Sequence, residues 1–230
     1  MTVPEFAARP QLAEDVARFV RKRIFDGTYA AGAYVRLDQL AAELGISVTP
    51  VREALFELKA EGLLAQQPRR GFVVLPVTGR DLNDVSNVQA YIGGELAARA
   101  AANITDEQLR ELQRIQSDLE DAYARGDDER AVRLNHEFHR AINVAADSPK
   151  LAQLMSQITR YAPESVFPII AGWPEKSNAH HRRLLTALQQ RDEDLARTAM
   201  SEHLAEGAAP LIDHLTERGV VNPSNVTPRR

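Results

Sequence analysis

The chain has six histidines and no cysteine, so a transition-metal site in it would be built on imidazole rather than thiolate. Asn135 and His139 stand four residues apart in a segment of helical periodicity, so both project from one face. His181 shares its helix face with Leu184, Leu185 and Leu188 and should turn inward; His203 does so with Ala196, Ala199 and Met200. If these last two segments form an antiparallel pair turning near Arg191, His181 precedes the turn by ten residues and His203 follows it by twelve. At a rise of ~1.5 Å per residue both then sit at a similar depth, about 15 and 18 Å from the turn. Three imidazole nitrogens and the Asn135 amide oxygen at one level suit a divalent metal, with zinc first and nickel, iron or manganese as alternatives. The same spacing also allows three separate hydrogen-bonded core histidines. His180, His136 and His214 lack such company and are expected nearer the surface.

A second constellation is cationic. Arg52 falls in the first turn of a helix opening at Thr49-Pro50, where Thr49 suits the cap and Pro50 the first helical position. Arg69 and Arg70 sit in a Pro/Gly turn, Gln66 to Gly71, between the apolar runs 63–65 and 72–75, which read as a hairpin. Upstream lie a helix from Gln11 to Asp26 and a short one from Asp38 to Leu44 closed by Gly45. Helix, short helix, tight turn, helix and hairpin make a winged helix-turn-helix. In that module the second helix of the motif enters the DNA major groove with its first residues facing base edges. An arginine there reaches guanine or phosphate, and wing-tip cations approach the backbone or minor groove.

Composition narrows the field further. Hydrophobic residues at 44% and charged residues at 26% describe a folded globular chain. No apolar run approaches the ~20 residues that span a bilayer. The start, MTVPEFAARP, does not read as a signal peptide, so a cytoplasmic protein is expected. Lack of cysteine excludes disulfides, thiolate zinc sites and cysteine nucleophiles. Residues 1–79 hold 10 basic and 9 acidic side chains and residues 80–230 hold 18 and 23, giving +1 and −5, which sum to the chain's −4. A near-neutral reader joined to an acidic body fits these numbers better than a coat for nucleic acid.

Beyond the linker Pro76-Val77-Thr78 the pattern is helical: about 80–102, a helix capped by Thr105 and ended by Gly126, 128–145, 151–158, 177–190 and 192–216. Ser165 to Trp173-Pro174 reads ambiguously, and Gly219 to Arg230 as a mobile tail. The expected fold is mainly α. A winged helix-turn-helix over 1–76 precedes an all-helical domain carrying the candidate metal site over 77–218, with the tail over 219–230.

Two resemblances join these readings. Ile24-Phe25-Asp26-Gly27, Leu40-Ala41-Ala42-Glu43-Leu44-Gly45-Ile46-Ser47, Thr49-Pro50-Val51-Arg52-Glu53-Ala54-Leu55, Glu61-Gly62-Leu63-Leu64 and Pro68-Arg69-Arg70-Gly71 resemble the GntR family of bacterial transcription factors. That resemblance implies DNA contacts from Ser47, Thr49, Arg52, Arg69, Arg70 and Gly71. Two cations common in the family are replaced, by Val48 and Asp38, which implies a different operator or weaker binding. Downstream, Glu95-Leu96-Ala97-Ala98-Arg99, Asn135-His136-Glu137-Phe138-His139-Arg140, His181-Arg182-Arg183-Leu184-Leu185 and Ala199-Met200 with His203-Leu204 resemble the FCD domain of FadR-like members.

The FCD resemblance implies a helical bundle holding a divalent metal and a small carboxylate effector. The family's aspartate and three histidines fall on Asn135, His139, His181 and His203, and effector contacts fall near Tyr91 and Glu95. The implied protein is a metabolite-responsive regulator, a repressor acting as a homodimer on double-stranded operator DNA, with no membrane association. Two alternatives remain: a metal-dependent enzyme with a three-histidine helical site, and a DNA-binding protein whose metal is purely structural. An enzyme would need a general base, and Glu137, two residues from both Asn135 and His139, is directed away from their face.

Overall fold

Apolar residues at helical spacing in three short segments converge on a small core: Val16, Val20 and Ile24 from the first, Leu40 from the second, and Val51, Leu55 and Leu58 from the third, each at most 3% exposed. The computed structural model describes residues 10–161 and 164–221. These segments are helices α1 (Pro10–Phe25), α2 (Leu37–Leu44) and α3 (Val48–Ala60). Gly45, in the left-handed region at φ 65°, closes α2 and returns its N–H to Ala41 and Ala42 carbonyls. The cap of α3 is Ser47 rather than Thr49, and Pro50 falls at the third helical position, whose N–H is also without an intrahelical partner. Arg21 of α1 makes a two-pronged ion pair with Glu61 at the end of α3, at 2.6 and 3.0 Å.

The expected hairpin is part of a three-stranded antiparallel sheet ordered β1-β3-β2, formed by β1 (Tyr34–Val35), β2 (Leu64–Gln67) and β3 (Gly71–Val74). Only two residues long, β1 pairs Tyr34 with Val73 and Val35 with Phe72. Gly71 makes that third strand possible. It sits at φ 95°, and a Cβ there would lie 2.8 Å from the Val35 carbonyl oxygen. Gly71→Ala is therefore expected to cost about 1–3 kcal/mol through left-handed strain and a clash with backbone. Loss of the wing's amide protection in hydrogen exchange would report it, and wild-type protection would contradict it.

The remaining chain is helical: α4 (Gly79–Asn103), α5 (Asp106–Arg125), α6 (Asp128–Ala145), α7 (Pro149–Ile158), two 3-10 stretches (Thr159–Tyr161 and Glu164–Ile169), α8 (Trp173–Gln190), α9 (Glu193–Glu206) and α10 (Ala208–Glu217). Thr105 and Gln108 form a reciprocal capping box on α5, and Gly126 ends it at φ 67°. The ambiguous stretch resolves into a 3-10 segment and the first turn of α8, which opens four residues earlier than expected, at Trp173-Pro174 after the left-handed Gly172. The last expected helix is two. Pro210 has no N–H for the Glu206 carbonyl and its ring collides there, so α9 stops at Glu206.

Two compact units result: Gly79–His214, and the described parts of Met1–Thr78 and Leu215–Arg230. Of the stretch expected to be a mobile tail, Val221 is 2% exposed and bridges Val77 in parallel, while residues 222–230 lie outside the described residues. Within the larger unit α4 packs most extensively on α9, and Gly93 and Gly94 permit it. A Cβ on Gly93 would lie 2.4 Å from a Leu204 methyl, and one on Gly94 would lie 2.3 Å from Ser201 Oγ and 3.1 Å from the Arg197 carbonyl oxygen. No helix is long and apolar enough to cross a membrane.

Candidate metal centre and nucleic-acid face

The leading turn of α3 presents Ser47, Thr49 and Arg52 outward, all exposed. Arg52 does not pair with Glu53 or Glu57; among the described residues it has no ion pair or hydrogen-bonded partner. Arg69 and Arg70 are exposed at the tip between β2 and β3, where Arg69 takes the left-handed conformation at φ 63° and the Arg70 N–H donates to the Gln67 carbonyl at 3.1 Å. All three guanidinium groups are therefore unspent. Gly71, half-buried, packs closely against Val35 and shapes the sheet. Asp38 is exposed on α2 and Val48 half-buried at the start of α3, so neither returns a cation to the face.

In the larger unit α6, α8 and α9 bring His139, His181 and His203 together. His203 Nε2 lies 3.4 Å from His181 Nε2 and 3.3 Å from His139 Nε2. One ligand nitrogen from each ring lies within 4.8 Å of the others. His181 is completely buried and His203 is 5% exposed. The Phe138 ring stacks on His181 at 4.1 Å between centroids. Burial pushes both imidazoles well below their ordinary value, and the neighbouring histidines push the same way, so both rings are neutral.

The residues fit a metal. Zinc–imidazole bonds of ~2.0–2.1 Å in a tetrahedron place nitrogens about 3.3–3.4 Å apart, which two of the three edges match. Gln116 of α5, which the sequence reading passed over, accepts from His181 Nδ1 at 2.8 Å and leaves its Nε2 bare. His203 Nδ1 has no partner among the described residues.

These rings border a cavity of about 350 Å³ that includes His139, His203 and Asn135 in its lining; His181 is buried behind it. Among the described residues the wall holds Arg140 and no aspartate or glutamate. Its apolar part comes from Met155, Phe167, Trp173, Met200, Leu204 and Leu211. Helix α4 faces it with Ser86, Gln89 and Gly93, spaced three and four residues apart. Tyr91 and Glu95 are not on that face. Tyr91 is 72% exposed, and Glu95 accepts from Arg197 at 2.8 Å. Two residues from Gln89 along a helix is a turn of ~200°, so Tyr91 points away by geometry. His136 is exposed at the cavity, as its surface reading implied. His180 and His214 are half-buried instead: His180 lies 3.7 Å from Glu206, and His214 has a buried Nε2 without a partner among the described residues.

Comparison with known proteins adds the relatives. Residues 12–74 match the bacterial regulatory proteins of the gntR family, and residues 84–206 match the FCD domain. The chain is 29% identical over 204 residues to the HTH-type transcriptional regulator McbR of Escherichia coli K12, covering 87% of this chain and 92% of that protein. It is 26% identical over 200 residues to the HTH-type transcriptional repressor RspR of Escherichia coli K12, covering 84% and 86%. The solved structure of E. coli McbR/YncC superposes with a TM-score of 0.70 at 27% identity, covering 89% of this chain and 98% of that one.

Proposed function

The chain belongs to the GntR family of bacterial regulatory proteins, as a DNA-binding transcriptional regulator with an FCD domain and not an enzyme, and from that premise we propose that a divalent metal and an organic acid in the helical unit govern its hold on operator DNA. The carrying observation is the convergence of the His139, His181 and His203 imidazoles, the last two buried and neutral, beside a cavity whose wall has, among the described residues, an arginine and no carboxylate. His139, His181 and His203 would hold the cation, zinc first, with the Asn135 amide oxygen as a weak fourth donor. The metal supplies a fixed positive charge, and the effector's carboxylate supplies oxygen to it. Arg140 adds a second positive charge. Met155, Phe167, Trp173 and Met200 favour an effector with an apolar carbon body behind its acid head.

In this reading the smaller unit is the reader and the unit Gly79–His214 the sensor. Two chains pair so that two heads meet the half-sites of a near-palindromic operator in the cytoplasm. Repression is the sign supported by the relative RspR. The effector acts by binding two arrangements of the heads with different affinity.

The test joins elemental analysis, which should find about one metal per chain, to gel-shift titration with a panel of organic acids before and after chelation. An acid that releases DNA only from the metal-loaded protein supports the reading. Release that survives chelation, or no bound metal, rejects it.

Three substitutions probe the two ends separately. Arg52→Ala should weaken operator binding by ~1–3 kcal/mol and relax preference at one base pair, whereas Arg69→Ala should weaken all sequences alike and reduce the salt slope by about one. An unchanged titration would remove either arginine from the interface. Asn135→Asp supplies the missing negative oxygen and should tighten zinc binding in a chelator competition; looser binding would show that residue 135 faces elsewhere.

A further inference from the structure

Behind His181 runs a polar chain that reaches the surface. Gln116 is 3% exposed on α5, surrounded on its face by Leu112, Ile115 and Leu119. Its amide nitrogen donates to Glu120 Oε1 at 2.9 Å and to Asn178 Oδ1 at 3.0 Å. Its amide oxygen faces His181 Nδ1 at 2.8 Å. Glu120 in turn accepts both prongs of Arg182, at 2.7 and 2.9 Å. The Arg182 guanidinium, and then the Gln116 amide, hold the Glu120 carboxyl below its usual range, so it is an ionised, acceptor-only group.

That ionised carboxylate decides the amide's orientation. Rotating the Gln116 amide by half a turn would set its oxygen against the Glu120 carboxylate oxygen and the Asn178 carbonyl oxygen, three acceptors together with no proton among them. The oxygen must therefore face the imidazole. His181 has no choice of tautomer: Nδ1 carries the proton and donates it to Gln116, and Nε2 keeps its lone pair. That lone pair is the one turned toward His203.

From this juxtaposition we infer that Gln116, clamped by Glu120 and Asn178, is the positioning residue that locks His181 as the Nδ1–H tautomer and so prepares its Nε2 to receive a cation. The inference rests on the cation site proposed above for its purpose, but not for the tautomer itself. Gln116 touches no metal; it acts through the ring. Without it, the imidazole of His181 could place its proton on Nε2, and each cation bound would first require that proton to move. Ligand-orienting partners of this kind are typically worth about 10–100-fold in metal affinity.

The experiment uses full-length, metal-stripped protein with 15N-labelled histidine. Long-range 1H–15N correlation spectra identify which ring nitrogen of His181 is protonated, with His181→Gln supplying the assignment. Wild type should show Nδ1–H. Gln116→Leu, close in volume, should move His181 toward Nε2–H, and zinc affinity measured against a chromophoric chelator should fall about 10–100-fold. Gln116→Glu combined with Glu120→Gln keeps an acceptor oxygen on His181 Nδ1 and an amide donor between residues 116 and 120, so it should restore both Nδ1–H and most of the affinity, which a purely structural role for residue 116 would not do. The inference is overturned if His181 stays Nδ1–H in Gln116→Leu, or if Gln116→Leu and the exchanged pair lose affinity alike. A wild type that binds no zinc overturns the cation reading instead, while the metal-free spectra still decide the tautomer.

Discussion

Zinc added to the metal-stripped protein should raise its thermal midpoint by several degrees, and the rise should vanish in the double variant His181→Ala/His203→Ala. A ligand that binds only the folded state stabilises it by about 2.7 kcal/mol at a hundred times its dissociation constant. For a chain of this size each kcal/mol moves the midpoint by roughly 2–4 °C, so about 5–11 °C is expected. Burial keeps His181 and His203 neutral near neutral pH, so the metal meets no imidazolium charge at either ring. The double variant also loses packing: His181 is wholly buried against Phe138. Its metal-free midpoint should be lower, and the decisive quantity is the increment on adding zinc. An equal increment in wild type and variant, or equal metal by elemental analysis, would mean that the cation sits elsewhere.

The larger mechanical effect belongs to Gly94→Val. In an exposed helix a glycine is a liability of about 0.5–1 kcal/mol relative to alanine, so its replacement would ordinarily help. Here the sign reverses. The first added carbon already meets Ser201 Oγ at 2.3 Å and the Arg197 carbonyl at 3.1 Å. Ser201 can rotate only by giving up its hydrogen bond to the Ala90 carbonyl at 2.9 Å, and the Arg197 carbonyl belongs to the α9 backbone. Overpacking of this kind costs typically 1–3 kcal/mol, occasionally more. Two further methyl carbons put Gly94→Val at the upper end, at about 3 kcal/mol. Gly94→Ala should be milder and still unfavourable. Chemical denaturation monitored at Trp173, which lies in the same unit, measures both; a Gly94→Val as stable as wild type would show that α4 and α9 can slide apart without loss.

The helices were legible because their periodicity and their ends agree. Thr105 with Gln108, and the glycines at 45 and 126, announce starts and stops by chemistry that acts within one turn. The depth match of His181 and His203 also follows from local geometry, since a short turn fixes the register of two antiparallel helices. What escaped the sequence is what depends on a distant partner. A two-residue β1 has no alternation to read, and its existence rests on Gly71, far along the chain from Val35. Gly93 and Gly94 look like weak points of α4 until α9 is laid across them. Tyr91 and Glu95 were assigned through family likeness, and the helix turns them from the cavity. Gln116 did leave a mark, a lone amide within an apolar stripe of Leu112, Ile115 and Leu119, and a buried polar group in that position needs partners.

The bridge between Val221 and Val77, with Val220 lying 3.4 Å from where a Cβ of Gly27 would sit, has a consequence for biosynthesis. A ribosome releases α1 to β3 early, yet the strand-like contact that completes their unit emerges only after the entire bundle has been translated. The smaller unit's last piece of packing is therefore delayed until the helical unit has had time to form, so a nascent chain stalled midway would carry a head still missing its closing segment.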